Sequence, residues 1–429
     1  METEAFLFLA YMIVFGSAIG CISGLVPGIH VNTLAVLLLV SYPSLALILS
    51  GSVCPSMIPI LVAAAVVSAA VVHSFMDFIP SVFLGSPGEE DVLSILPGHR
   101  MLMEGRGAEA VVCSAQGSLV GAMAAIALAL PVHMVMASGG WDVLQKHVPF
   151  ILPAVMILLL LSERGSDSTR KRIWASFLCL GSAALGFITM YGSLPMTFDN
   201  GGLMLPLLAG LFGMPALLIS LGGGQMPVQT GSARTSVDSG PALRGLIAGM
   251  AVGWLPGITA TAGTVVASLG SPERTPERFI AMVSSVGTAA TVFALVTLSV
   301  TGRGRTGTML VILDITGGGV DMMGFAMLLA AVAVSALIGY VATIRTGVRF
   351  SGILQGRDLS KVNISIASFL CLLTLALCGP GGLLMLLAAT SLGLLPSAVG
   401  VGRVHLTSSL LVPVMISHSG TQALISAAL

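Results

Sequence analysis

Charge is what this sequence most conspicuously lacks. Of its 429 residues, 8% are Asp, Glu, Lys or Arg and 55% are hydrophobic, whereas a soluble domain carries roughly 25% charged residues. No charged residue occurs from Ala5 to Met76. Such a chain cannot cover a compact body with polar surface, which excludes a water-soluble domain. A net charge of zero and the absence of a basic tract argue against a nucleic-acid partner. The six cysteines (Cys21, Cys54, Cys113, Cys179, Cys371 and Cys378) show no CxxC spacing. They read as small apolar packing residues rather than as a disulfide framework or metal site. There is no HExxH, GxSxG, Walker A or GxGxxG with an acidic partner, so no enzyme signature is present and no organic cofactor or metal is expected. The start, "METEAFLFLAYM", is acidic where a secretory signal is basic, so the first apolar segment is expected to be retained.

What is present is a succession of long apolar runs. Charge-free stretches cover 110–141, 173–198, 200–233, 245–272, 279–302, 322–344, 362–402 and 404–429. A helix of about 20 residues crosses the hydrocarbon core. The runs lack the alternation of a barrel strand, and only helices or closed barrels satisfy the backbone in lipid. The fold class that follows is an all-α polytopic membrane helix bundle. Pro, Gly and charged punctuation place segments near 5–25, 31–49, 56–80, 110–131, 147–162, 173–192, 203–221, 241–270, 279–300, 306–316, 322–343, 362–379, 382–396 and 404–416. Some are too short to span alone, so about 10–12 transmembrane helices plus broken or re-entrant pieces are expected. Arg164, Arg170, Lys171 and Arg172, and Arg345, Arg349, Arg357 and Lys361, make loops 163–172 and 344–361 cytoplasmic. If 241–270 crosses once, loops 222–240 and 301–305 lie inside and 193–201 and 271–277 outside.

An internal repeat is legible. Residues 16–29 read "GSAIGCISGLVPGI" and residues 245–258 read "GLIAGMAVGWLPGI". Gly16, Gly20, Gly24, Pro27, Gly28 and Ile29 align with Gly245, Gly249, Gly253, Pro256, Gly257 and Ile258. We expect two membrane repeats, 1–221 and 241–429, joined by a Gly-rich cytoplasmic linker at 222–240. Glycines four apart lie on one helical face and admit a close neighbour. Pro then breaks the helix and Gly supplies the dihedrals to restart it. Paired interrupted helices at matching places in two halves point to a transporter's binding site, because a restarted helix presents amides and positive dipole to an anion. A plain Pro kink is the alternative. The candidate substrate residues are Pro27, Gly28, His30, Asn32 and Thr33 in the first motif. In the second they are Pro256, Gly257, Thr259, Thr261 and Thr264. His73 and Asp77, four apart on one helix face, are candidates for a coupling Na⁺ or H⁺ or for a structural pair at the water boundary. Asp314, in a short glycine-flanked segment, is a third coupling-ion candidate.

Residues 77–110, "DFIPSVFLGSPGEEDVLSILPGHRMLMEGRGAEA", contain a Pro-Gly turn, a short segment, a second Gly and then "GRGAEA" leading into a helix. With the Gly24–Gly28 motif and the later "VSSVGTAATVFALV", this resembles the TctA family, the membrane permease of the tripartite tricarboxylate transporters. The resemblance implies cation-coupled carboxylate uptake, a small membrane subunit and an extracytoplasmic binding protein as partners. For such a transporter the 85–91 hairpin is expected to act as a gate, with Gly85, Ser86, Pro87 and Gly88 as candidate site residues. Glu89, Glu90 and Asp91 depart from the family's small hydroxyl or amide residues. They would repel a tricarboxylate if they lined its path, and otherwise form a solvated turn beside His99, Arg100 and Arg106. The leading expectation is a secondary transporter of a small organic anion in the cell membrane. A translocase for a lipid-linked phosphate head group and an intramembrane enzyme using His73 and Asp77 are the alternatives.

Overall fold

The computed structural model describes residues 2–26, 31–84, 95–163, 167–192, 204–221, 226–230, 238–269, 275–358 and 360–418. Seven apolar helical stretches in it are long enough to cross a membrane, and the described residues form no strand. The chain is an all-α polytopic membrane bundle. The first half runs α1 Glu2–Gly24, α2 Val31–Ser50, α3 Ile58–Met76, α4 Phe78–Leu84, α5 Ile95–Met103, α6 Gly107–Val135, α7 Trp141–Leu161 and α8 Ser168–Tyr191. α9 Met204–Leu208 and α10 Met214–Ser220 are joined by a wider π turn. The second half runs α11 Ser239–Trp254, α12 Ala260–Leu269, α13 Pro276–Thr301, α14 Gly307–Thr316, α15 Met322–Leu354, α16 Ser360–Val399 and α17 Ser408–His418.

The glycine ladders do what their spacing implies. A Cβ on Gly16 would lie 2.1 Å from the Ala65 carbonyl oxygen, and Gly20 and Gly24 abut Ala69 and His73 in the same way. α1 therefore runs parallel to α3 along a seam that excludes any side chain. Gly245, Gly249 and Gly253 repeat this against Met282, Val286 and Ala290, so α11 runs parallel to α13. Gly324 and Gly339 lie on Ile60 and Phe75, aligning α15 with α3. Gly117 and Gly121 lie on Ala281 and Ser285, aligning α6 with α13. Gly347, late in α15, meets Val111, early in α6, so the two sets are antiparallel. Hydroxyls join the second set: Ser284 donates to Ser114 Oγ at 2.9 Å, Thr288 to the Ser118 carbonyl at 2.9 Å and Ser285 to the Ala242 carbonyl at 2.6 Å. Such bonds, with close backbone approach, hold helices together where lipid removes the hydrophobic drive.

Parallel neighbours in sequence need a returning segment. α2 returns the chain from α1 to the start of α3. α12 returns it from α11 to the start of α13, with Gly263 against Val252 and Ala248 of α11. Each pair is thus a helical hairpin, and the two enter from opposite ends of the bundle. This corrects the expectation that 241–270 crosses once. Arg278 pairs with Asp238 at 3.0 Å and Arg106 with Glu277, so the two ends of the hairpin share one face. α13 then carries 301–305 to the other face. The correction removes the charge anomaly, because the described Lys and Arg other than Lys146, Arg303 and Arg305 gather at one end. That end is cytoplasmic by the positive-inside rule.

A second group of helices packs alongside. α8 runs beside α17, with Gly186 against the Ser409 carbonyl and Ser182 donating to the His405 carbonyl at 3.3 Å. α16 folds on itself at Gly379 (φ +68°), followed by Pro380, as the separate expectations 362–379 and 382–396 required. Its first arm holds Asn363 against Ser220 at 2.8 Å, and its second sets Gly393 on Leu211 and Pro215. Among the described residues seven helical stretches are long and apolar enough to cross a membrane, two of them interrupted at Gly139 and Gly379. The outward faces carry exposed Phe6, Val40, Phe150 and Leu180, which suits hydrocarbon rather than water.

Candidate functional site

The second motif is a helix break. Leu255 is extended (φ −92°, ψ 123°) after its N–H closes the last turn onto the Ala251 carbonyl at 2.9 Å. Gly257 takes φ +77°, a left-handed conformation that costs an L side chain strain. A Cβ there would meet Val414 Cβ of α17 at 3.0 Å. Pro256 is buried and Gly257 half-buried. α12 restarts at Ala260, with Thr259 Oγ1 accepting from the Ala262 N–H at 3.2 Å. Thr259 therefore caps the new helix. Thr264 donates to the Ala260 carbonyl at 2.9 Å, so this buried hydroxyl serves its own helix. Thr261 is buried as well.

Sequence reading passed over Trp254, which ends α11. Its indole meets Phe293 edge-on, centroids 5.9 Å apart, and its buried Nε1–H has no hydrogen-bond partner among the described residues. A buried donor left so is costly. The signal that could have found it is the aromatic N–H donor two residues before a helix-breaking Pro.

At the first motif α1 ends at Gly24, and the Leu25 and Val26 amides turn back onto the Ile22 and Ser23 carbonyls. α2 begins at Val31. Pro27, Gly28 and His30 lie outside the described residues, as do Gly85, Ser86, Pro87 and Gly88 with Glu89, Glu90 and Asp91. Asn32 and Thr33 fall in the first turn of α2, their side chains outside the description.

The coupling-ion candidates divide. His73, 3% exposed, places Nδ1 2.9 Å from Ser23 Oγ, whose hydroxyl also reaches the Gly20 carbonyl at 3.2 Å. If Ser23 donates to Gly20, the imidazole must donate from Nδ1. Asp77 caps α3, its N–H on the His73 carbonyl at 2.9 Å, and the same stretch of backbone lines the approach of Gly24. The fold thus sets His73 and Asp77 against the end of the first interrupted helix. Asp314 is exposed on α14, beyond the extracytoplasmic end of α13, and is not brought to them. The described end of each interrupted helix packs within the bundle: Gly253 abuts Ala290 near the middle of α13, and Gly24 abuts His73 and Met76 late in α3.

Two polar clusters guard the cytoplasmic face. Arg106 grips Glu109 through two bonds of 2.7 and 2.8 Å and also bonds Glu277. Those bonds push its pKa still higher, so it stays charged. Gln229 accepts from the Gly107 N–H at 2.9 Å and donates to the Leu102 carbonyl at 3.1 Å. The linker between the halves is thereby stitched to the start of α6. In the second cluster Glu163 accepts from the Gly402 N–H at 2.8 Å and pairs with His405 Nε2 at 2.9 Å. Burial alone would raise the Glu163 pKa, but the bonds from His405 and Gly402 outweigh it and hold the carboxyl below its ordinary value. No group of His, Cys, Asp and Glu among the described residues could hold a metal ion.

The family model described as Tripartite tricarboxylate transporter TctA family matches residues 10–408. An uncharacterized protein of Methanocaldococcus jannaschii is 27% identical over 314 residues, 70% of each chain. No solved structure matches.

Proposed function

The chain belongs to the tripartite tricarboxylate transporter TctA family and is a membrane transporter permease; from that premise we propose that it moves a small organic anion, such as a carboxylate, at the two hairpin tips. The observation that carries the reading is the break at Gly257 (φ +77°), where α12 restarts beside the buried, unpartnered Trp254 N–H. A restarted helix offers about half a positive charge, and neither motif contains Lys or Arg. Backbone amides at the breaks and the Trp254 N–H then supply the binding force.

Two hairpins entering the bundle from opposite faces support an inverted repeat, 1–221 against 241–429. Alternating access follows if one hairpin opens while the other closes, since such repeats exchange conformations across the membrane. We assign coupling by Na⁺ or H⁺ to His73 and Asp77, which bear on the end of the first hairpin arm, and we drop Asp314. A small membrane subunit and an extracytoplasmic binding protein complete the assembly in the cell membrane, and the chain works as a transporter rather than an enzyme. Uptake of labelled succinate and citrate into proteoliposomes under a Na⁺ or proton gradient tests this. Gradient-driven uptake that Trp254→Phe weakens is expected. Absence of uptake in wild type reconstituted with its partner subunits would refute it.

A further inference from the structure

We propose that Arg305, stacked on Trp141 beside the start of α14, is a carboxylate-capture site on the extracytoplasmic face. The hairpin topology puts the 302–306 connection at the end of the bundle opposite the cytoplasmic clusters. There the Arg305 guanidinium carbon lies 4.8 Å above the centre of the Trp141 ring. Trp141 is aimed by the turn that opens α7, where Gly139 takes φ +112°. Arg305 Nε is buried and has no hydrogen-bond partner among the described residues. The charge it feels is a like one, Arg303, and with burial as the larger cause its pKa is pushed down to about 10. It remains cationic at any physiological pH. A partly desolvated guanidinium without an acceptor is unfavourable, and stacking on indole offsets only part of that cost.

An anion completes the arrangement. A carboxylate matches the edge formed by the two terminal Nη groups with two parallel bonds, the Nε–H being buried. Thr306 caps α14 by accepting from the Met309 N–H at 3.2 Å. The amides of Gly307 and Thr308 have no acceptor within the helix and add positive dipole beside the guanidinium. Arg303 is exposed next to it and draws anions toward the site. A site on this face would receive substrate before it reaches the hairpin tips. That the anion is a carboxylate rests on the transport reading above; the site does not.

The test uses the full chain in phosphatidylcholine nanodiscs, titrated with acetate, succinate and citrate while tryptophan fluorescence is recorded. At least one of the three should give a saturable change. Arg305→Gln should weaken it about ten- to hundredfold, as loss of charge-assisted bonds implies, and Arg305→Lys should restore part of the affinity. Trp141→Phe should remove the part of the optical signal that Arg305→Gln also weakens, leave any change reported by Trp254, and keep binding at Arg305 measurable by calorimetry. No saturable change with any of the three, or unchanged affinity in Arg305→Gln, overturns the site. So does loss of carboxylate binding when phosphatidylglycerol is added, because the occupant would then be a lipid phosphate. Wild-type uptake kinetics in Arg305→Gln would overturn the capture role and leave transport standing. Carboxylate binding at Arg305 without any uptake would overturn transport and leave the site.

Discussion

Replacing Gly257 is the sharpest probe of the hairpin tip. Its φ of +77° costs an L residue about 1–2 kcal/mol. The new Cβ would also meet Val414 Cβ at 3.0 Å, an overpacking worth about 1 kcal/mol or more in a rigid setting. Gly257→Ala therefore carries roughly 2–3 kcal/mol of local strain, and Gly257→Val more because both γ-methyls crowd α17. A helical bundle can absorb the Ala variant and stay folded. If about 2 kcal/mol of the strain is relieved by displacing the restarted helix, substrate affinity falls about thirtyfold. Proteoliposome uptake as a function of substrate concentration reads this as a rise in KM, and thermal melting in detergent reports folding separately. Adding Val414→Ala removes the two γ-methyl contacts at 3.2 Å but keeps the Cβ contact at 3.0 Å, so it should recover part of the packing cost and none of the dihedral cost, leaving Gly257→Ala/Val414→Ala between Gly257→Ala and wild type. Wild-type KM in Gly257→Val would show that the glycine merely shapes a kink and that the tip does not bind substrate.

Three further outcomes are expected. Single cysteines at Asp238 and Arg278 should react with an impermeant maleimide from the same side of the membrane and one at Arg303 from the other; opposite-side labelling of 238 and 278 would restore the single crossing of 241–270. Removing Arg106 leaves Glu109 and Glu277 without their cation, and with Arg106 32% and Glu277 18% exposed, a double-mutant cycle by thermal melting should give a coupling of about 1 kcal/mol; zero coupling would mean the latch is ornamental. The Glu163 pKa is depressed below its ordinary 4.5, and the His405 pKa is raised from 6.5 to about 9, against burial, by its bonds to Cys179 and Glu163. The pair therefore stabilises fully between those two ordinary values, loses its contribution as pH falls through the lowered Glu163 value, and loses it again as pH rises through about 9. Melting temperature should drop on acidification in wild type and much less in Glu163→Gln; equal acid sensitivity in both would dismiss the pair as a stabiliser.

The sequence by itself determined the solvent, the elements and the breaks. A chain this poor in charge can satisfy its backbone only as helices in lipid, so the helical segments could be read from sequence. Their limits are close at some places, where 279–300 became Pro276–Thr301 and 306–316 became Gly307–Thr316, and less so at others, where 322–343 ran on to Leu354. The ladders at Gly16–Gly24 and Gly245–Gly253 announced close-packed faces because spacing of four is a property of the single helix. Pro256 and Gly257 announced a break for the same local reason. The direction taken after the break was not legible. Pro and Gly stop one helix and permit another, but the angle between them is set by what the second helix finds to pack on. Gly263 found Val252 and Ala248 of α11, so the chain turned back, and every loop assignment that assumed a crossing changed sides. The pairing of His73 with Ser23 spans 50 residues, and the stacking of Arg305 on Trp141 joins the two halves. Neither has any counterpart in local pattern, because contacts of that separation exist only once the helices have chosen their neighbours.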